Sequence, residues 1–222
     1  HTLLAKALAW HGEGRQVAVA TVIETWGSAP RGVGSQMIID ADGAMQGSVS
    51  GGCVEGAVMI EALEALQDGK ARLLEYGVSD DDAFAVGLAC GGRIRVLVEP
   101  VGDAMPLSVL TDIVAAKQSA QAIAYVADLQ GTDRRTVGQD AYPMRFKMDQ
   151  SDIEPDGRTF VGIHNPPLRM VIIGAVHIAQ ALVPMAQACG FACNVIDPQS
   201  AFATAERFPH TTLITDWPDA AM

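Results

Sequence analysis

Residues 17–23, VAVATVI, form an unbroken run of β-branched and apolar side chains, the pattern of a buried strand. Ahead of them Leu3, Leu4, Ala7, Leu8 and Ala9 recur at helical spacing and predict an amphipathic first helix. Gly, Ser and Pro break regularity over residues 27–34. The apolar stretches 35–39 and 44–49 then flank Asp40-Ala41-Asp42-Gly43, a hairpin with glycine in its turn. Residues 54–66 read as a helix, with Gly69 as its stop. A strong strand follows over 94–98, ended by Pro100, then a helix over 107–117 and a strand over 122–126.

The pattern weakens over residues 131–167, where short strand-like pieces alternate with Gly, Pro, Asp and Asn. Asn165-Pro166-Pro167 is the best candidate boundary. Beyond it come a strand at 169–173, a helix at 177–189, a strand at 192–196 and the start of another at 212–215. This order predicts an α/β protein. An N-terminal mixed α/β cofactor-handling domain spans 1–167, and a Rossmann-like parallel-sheet domain spans 168–222. The second has fewer strands than a complete doubly wound domain and reads as incomplete at its C-terminus.

Of the 222 residues, 49% are hydrophobic, enough for a packed core, and the formal charge of −11 argues against a nucleic-acid partner. No basic run supplies the counterion release such a partner needs. No apolar run reaches the roughly 18 residues of a membrane span, and the first residues lack the layout of a secretory signal. Four cysteines in a chain this long do not make a disulfide framework, so free thiols in a reducing cytoplasm are expected.

The chemistry gathers at Ser48-Val49-Ser50-Gly51-Gly52-Cys53-Val54-Glu55, between a strand and a helix. On the helix, Met59, Ala62, Leu63 and Leu66 define the expected buried stripe, with Glu61 and Glu64 opposite. Glu55 falls on the apolar face, where a carboxylate needs a partner. That partner is a structural arginine, Arg31 or Arg93, or Glu55 belongs to a site. Cys53 follows two glycines at the helix start, where free N–H groups favour anions and a thiolate. Cys189 and Cys193 read instead as small buried hydrophobes. Gly27-Ser28-Ala29-Pro30-Arg31 offers a hydroxyl and a guanidinium for oxyanions, and Gly87-Leu88-Ala89-Cys90-Gly91-Gly92 offers a second thiol. The three glycine-rich loops converge on one anion site, or they are ordinary turns.

At GSAPRGVGSQM (27–37), GSVSGGCVE (47–55) and GLACGG (87–92) the sequence resembles the XdhC/CoxI family, accessory factors of xanthine dehydrogenase and related molybdenum hydroxylases. The segments VIIGAVHIAQAL (171–182) and VIDPQSAFATAERFP (195–209) extend the likeness into the second domain. The resemblance implies transient binding of the molybdenum cofactor, molybdopterin, and its delivery in sulfurated form to a xanthine dehydrogenase-type hydroxylase, with a cysteine desulfurase as a further partner. It implies a cofactor chaperone rather than an enzyme, with Cys53 as a sulfur donor to the metal and Glu55 beside it. Ser48, Ser50, Gly51, Gly52, Ser28, Arg31, Cys90, Gly91 and Gly92 complete the implied binding loops, whose backbone N–H groups suit the pterin phosphate.

In the second domain Gly174 stands at the first position of a dinucleotide fingerprint, His177 opens the helix, and Asp197 lies at the tip of the next strand like a ribose-binding acid. Val176 replaces the middle glycine, so its side chain obstructs the approach of NAD(P). The alternatives are an NAD(P)-dependent oxidoreductase using Cys53 or Cys90 as a redox thiol, and a scaffold whose glycine loops are turns. Short interrupted domains of this kind are expected to share a buried face in a homodimer.

Overall fold

The structure, a computed structural model, describes residues 2–77 and 92–221. It divides into two compact units, His1–Asn165 and Pro166–Met222. In the first, α1 (Leu3–Gly12) leads into β1 (Val17–Trp26), β2 (Gln36–Asp40), β3 (Met45–Gly47), α2 (Glu55–Asp68), β4 (Arg72–Tyr76) and β5 (Arg93–Pro100). Then come α3 (Leu107–Gln118), β6 (Ile123–Asp128), β7 (Arg134–Val137), α4 (Pro143–Met148), β8 (Asp152–Ile153) and β9 (Thr159–His164). The second unit holds β10 (Arg169–Ile173), α5 (His177–Ala188), β11 (Ala192–Ile196), β12 (Thr212–Ile214) and α6 (Pro218–Ala221). No described helix is long and apolar enough to cross a membrane.

The apolar run of β1 is explained by its place. It lies at the centre of an antiparallel sheet ordered β3-β2-β1-β5-β4 and is buried on both faces. Val17, Val19 and Ile23 pack with α1, α3 and residues of a second sheet, while Ala18, Ala20 and Val22 pack beneath α2. Thr2 caps α1, its Oγ1 accepting from Ala5 N at 3.3 Å, and Gly69 ends α2 in the left-handed conformation. The stripe that α2 buries is Val58, Ala62, Ala65 and Leu66; Met59 and Leu63 are only half-buried, because the helix rolls to put Glu55 and Val58 inward.

Two further departures have local causes. Strand β4 sits at the sheet edge with alternating half-buried and exposed positions, too weak a pattern to stand out. Pro100 is itself the last residue of β5, so the strand runs two residues beyond the apolar 94–98 run; β4 pairs no farther than Val98, so no neighbour on that side requires a proline N–H.

The second sheet, β7-β6-β9-β8, is antiparallel and joins the first through a buried ion pair. Glu99 on β5 has no solvent exposure and accepts from Arg134 Nε and, at 2.8 Å to each oxygen, from the Tyr125 hydroxyl. Arg134 Nη1 donates to the carbonyls of Asp128, Gly131 and Asp133. Burial pushes the Glu99 carboxyl up, while Arg134 and Tyr125 pull it back toward the charged form.

In the second unit β10, β11 and β12 form a parallel sheet in that order, with α5 laying Ala179, Val183 and Ala186 over Cys193 and Val195. Fold class is thus mixed α/β followed by a small parallel α/β unit.

Truncating one member of a buried ion pair strands the other charge. Arg134→Leu is expected to lower stability by about 3–5 kcal/mol in urea unfolding followed by circular dichroism. Adding Glu99→Gln to it should recover more than half of that loss, since the neutral amide needs no counter-charge.

Candidate functional site

Strand register gathers the glycine-rich segments 27–31 and 48–55, with Gly92, at one sheet end. Trp26 at the end of β1 pairs with Arg93 at the start of β5, and Gly47 at the end of β3 pairs with Met37 near the start of β2. The segments after Trp26 and after Gly47 therefore leave the end at which Gly92 enters β5. A side chain at Gly92 would begin 2.5 Å from the Ser28 carbonyl oxygen, so only glycine permits that approach. A side chain begun at Gly51 would touch Pro30 Cβ at 3.5 Å, so the Ser28–Arg31 stretch also abuts the Ser48–Glu55 loop. Gly92 is thus brought to this cluster, whereas Cys90 and Gly91 lie outside the described residues.

The loop is organised around Glu55, the first residue of α2, which is 7% exposed. Its Oε1 accepts from Ser48 Oγ at 2.7 Å, Val49 N at 3.1 Å and Ser50 N at 2.9 Å. Its Oε2 accepts from Ser50 Oγ at 2.5 Å and Gly52 N at 2.9 Å. The two hydroxyls also accept, Ser48 Oγ from Gly51 N at 2.8 Å and Ser50 Oγ from Val54 N at 2.9 Å. Gly51 and Gly52 take φ of +77° and +115°, a backbone conformation that residues with a side chain rarely adopt, and there the chain curls around the carboxylate.

This arrangement removes one of the two readings of Glu55 and corrects one expectation. Glu55 pairs with no arginine: Arg93 lies 3.6 Å from Glu75, and Arg31 is exposed with no acidic partner among the described residues. Nor are the loop N–H groups open to a phosphate, because Glu55, Ser48 and Ser50 take those of Val49, Ser50, Gly51, Gly52 and Val54. In that run Cys53 N–H alone has no acceptor among the described residues. The Cys53 thiol itself is free and exposed.

Ser28 and Arg31 are exposed, while Ala29 between them packs on the core beneath α2. Pro30, read in the sequence as a stiff turn beside Arg31, lies with its Cβ 3.5 Å from where a Gly51 side chain would begin, a proximity that the sequence pattern does not reveal. Among the described residues no group of three His, Cys, Asp or Glu side chains could hold a metal by itself.

In the second unit Asp197 is 7% exposed and turned toward its own chain. Its Oδ2 accepts from Ala175 N and its Oδ1 from Gln199 N, each at 2.8 Å. These two N–H groups hold its carboxyl below the usual range. Asp197 thus braces the Gly174 turn, where φ is +101°, instead of presenting both oxygens to a ribose. His177 is exposed at the start of α5, and Val176 before it is 47% exposed. Cys193 is buried as expected, but Cys189 is exposed, because it caps the solvent side of α5.

Burial pushes the Glu55 carboxyl up, but the hydroxyls of Ser50 and Ser48 and the Ser50 N–H outweigh it and lower the carboxyl from 4.5 to about 2. A depressed carboxyl stabilises the fold above its unfolded value and ceases to as pH falls through the folded one. The stability gap between wild type and Glu55→Gln should therefore be widest above pH 4.5 and close toward about 2 in acid-unfolding curves.

Residues 10–77 match the XdhC and CoxI family and residues 170–221 match the XdhC Rossmann domain, together just over half of the chain. The molybdenum cofactor insertion chaperone PaoD of Escherichia coli K12 is 30% identical over 207 residues, covering 90% of this chain and 59% of PaoD. The uncharacterized protein YqeB of the same organism is 32% identical over 165 residues, covering 67% of this chain and 30% of YqeB. A probable xanthine dehydrogenase subunit from Bacillus subtilis 168 is 25% identical over 236 residues, 99% of this chain and 70% of that protein. This chain therefore spans less than two thirds of the length of PaoD and of YqeB. The crystal structure of a xanthine dehydrogenase from Bacillus halodurans shares the fold, with a TM-score of 0.78 over 100% of this chain and 70% of that one at 24% identity. With both of its domains matched in chain order, the protein belongs to the XdhC and CoxI family.

Proposed function

We propose that this protein binds molybdenum cofactor as cargo and hands it to a molybdenum hydroxylase of the xanthine dehydrogenase type. The observation that carries the reading is the exposed Cys53 thiol on a loop braced from beneath, in a chain related along 90% of its length to a molybdenum cofactor insertion chaperone. Thiolate sulfur is a soft donor and suits the metal of the cofactor, which brings its own dithiolene sulfurs. On binding, Cys53 loses its proton to solvent and supplies one sulfur. Because the loop N–H groups are taken, the pterin phosphate falls to Arg31 and Ser28, exposed on the abutting loop. Delivery in sulfurated form, with a cysteine desulfurase as the sulfur source, and assembly as a homodimer are parts of the same proposal.

Anaerobic incubation of the purified chain with molybdenum cofactor, with NAD as competitor, followed by metal and pterin analysis, tests this. Stoichiometric retention insensitive to NAD is the expected result. Retention should fall at least about tenfold in Cys53→Ala, while the unfolding free energy stays within about 0.5 kcal/mol, as for an exposed position. Unchanged molybdenum content in that variant would remove Cys53 from the site. NAD bound with no pterin retained would replace the chaperone by the oxidoreductase.

A further inference from the structure

Five donors converge on one carboxylate that water scarcely reaches, and all five come from residues 48–52. For Glu55 to touch a ligand, the loop would have to give up those bonds and strand three backbone N–H groups, each costly to leave unpaired. The carboxylate is accordingly not a ligand. It does what a bound anion does in an N–H nest, but from within the chain.

The consequence falls on Cys53. With Glu55 in place, every N–H from Val49 to Val54 except that of Cys53 is turned to an internal acceptor among the described residues, and the thiol beside it stands exposed. We propose that Glu55 is a positioning residue for Cys53. It closes the loop around its own charge, keeps the nest shut to outside phosphate, and leaves the Cys53 thiol and N–H as the loop's face toward the cargo. This rests on the reading of Cys53 as the cofactor's sulfur donor. The serines are part of the device, since each hydroxyl donates to Glu55 while accepting an N–H the carboxylate does not take.

The test uses the full chain, with Glu55→Gln and Ser48→Ala beside wild type. Alkylation of Cys53 by iodoacetamide is followed peptide by peptide, with exposed Cys189 in the second unit as the internal reference. In Glu55→Gln the Cys53 rate should rise about fivefold with Cys189 unchanged, and exchange of amides 49–52 should speed about tenfold, as local opening requires. Ser48→Ala, which removes one donor and leaves the charge, should move both about twofold in the same direction, and it carries the comparison if Glu55→Gln does not fold. In wild type, inorganic phosphate should leave the exchange of amides 49–52 and 54 unaltered. Phosphate protection of those amides, or unchanged Cys53 rates in both variants, overturns the proposal. A wild type that retains no cofactor sinks the chaperone reading instead, while the alkylation and exchange results still decide the role of Glu55.

Discussion

A carboxylate withdrawn from water keeps its charge only if donors are brought to it, and this protein repeatedly brings them from its own backbone. Glu55 gathers the Ser48–Gly52 loop, and Asp197 ties the Gly174 turn to the segment after β11. Buried Asp40 accepts from the N–H groups of Asp42 and Ala44 at the β2–β3 turn and pairs with Arg15. In each case a chain reversal that would leave N–H groups orphaned is closed by an acid of the same chain. The turns are shaped before any ligand arrives, and the ligand meets what remains.

That logic changes how the glycine-rich loop is understood. Glycines before a helix read as an anion cradle because they free backbone N–H groups, and here those groups are indeed turned inward to one point. The point is occupied by Glu55. What the loop displays outward is a thiol, beside the one N–H of residues 49–54 without an acceptor among the described residues, with the exposed Ser28 and Arg31 on the neighbouring loop. A soft donor and a cationic side chain suit a cargo that joins a metal–sulfur centre to a phosphate.

The sheet supplies the rigidity behind this display. Strand β1 is clamped on both faces, and the register of β1 against β5 and of β2 against β3 brings the segments 27–31 and 48–55 and Gly92 to one end. The Glu99–Arg134 pair locks the second sheet to β5 on the face opposite α2. The loop and its helix thus stand on a scaffold whose far side is independently fastened.

The amino-acid sequence by itself determined β1, α2, α5 and the hairpin, because continuous apolar runs, helical periodicity and turn residues are local signals that packing reinforced. It also determined that Glu55 lies inward at the start of a helix and that Cys53 stands just ahead of it, since both follow from local spacing. Tertiary structure alone decided what Glu55 meets. An inward carboxylate demands donors, but arginines and loop amides satisfy that demand equally well on paper. Only the fold-back at Gly51 and Gly52 brings five amides and hydroxyls within 3.1 Å. The same holds for Asp197, whose place at a strand tip was legible but whose direction was not, and for edge strand β4, whose alternation is too shallow to read without its neighbour. Periodicity encodes which face is buried; the partners within that face depend on chain segments distant in sequence, which only the folded register brings together.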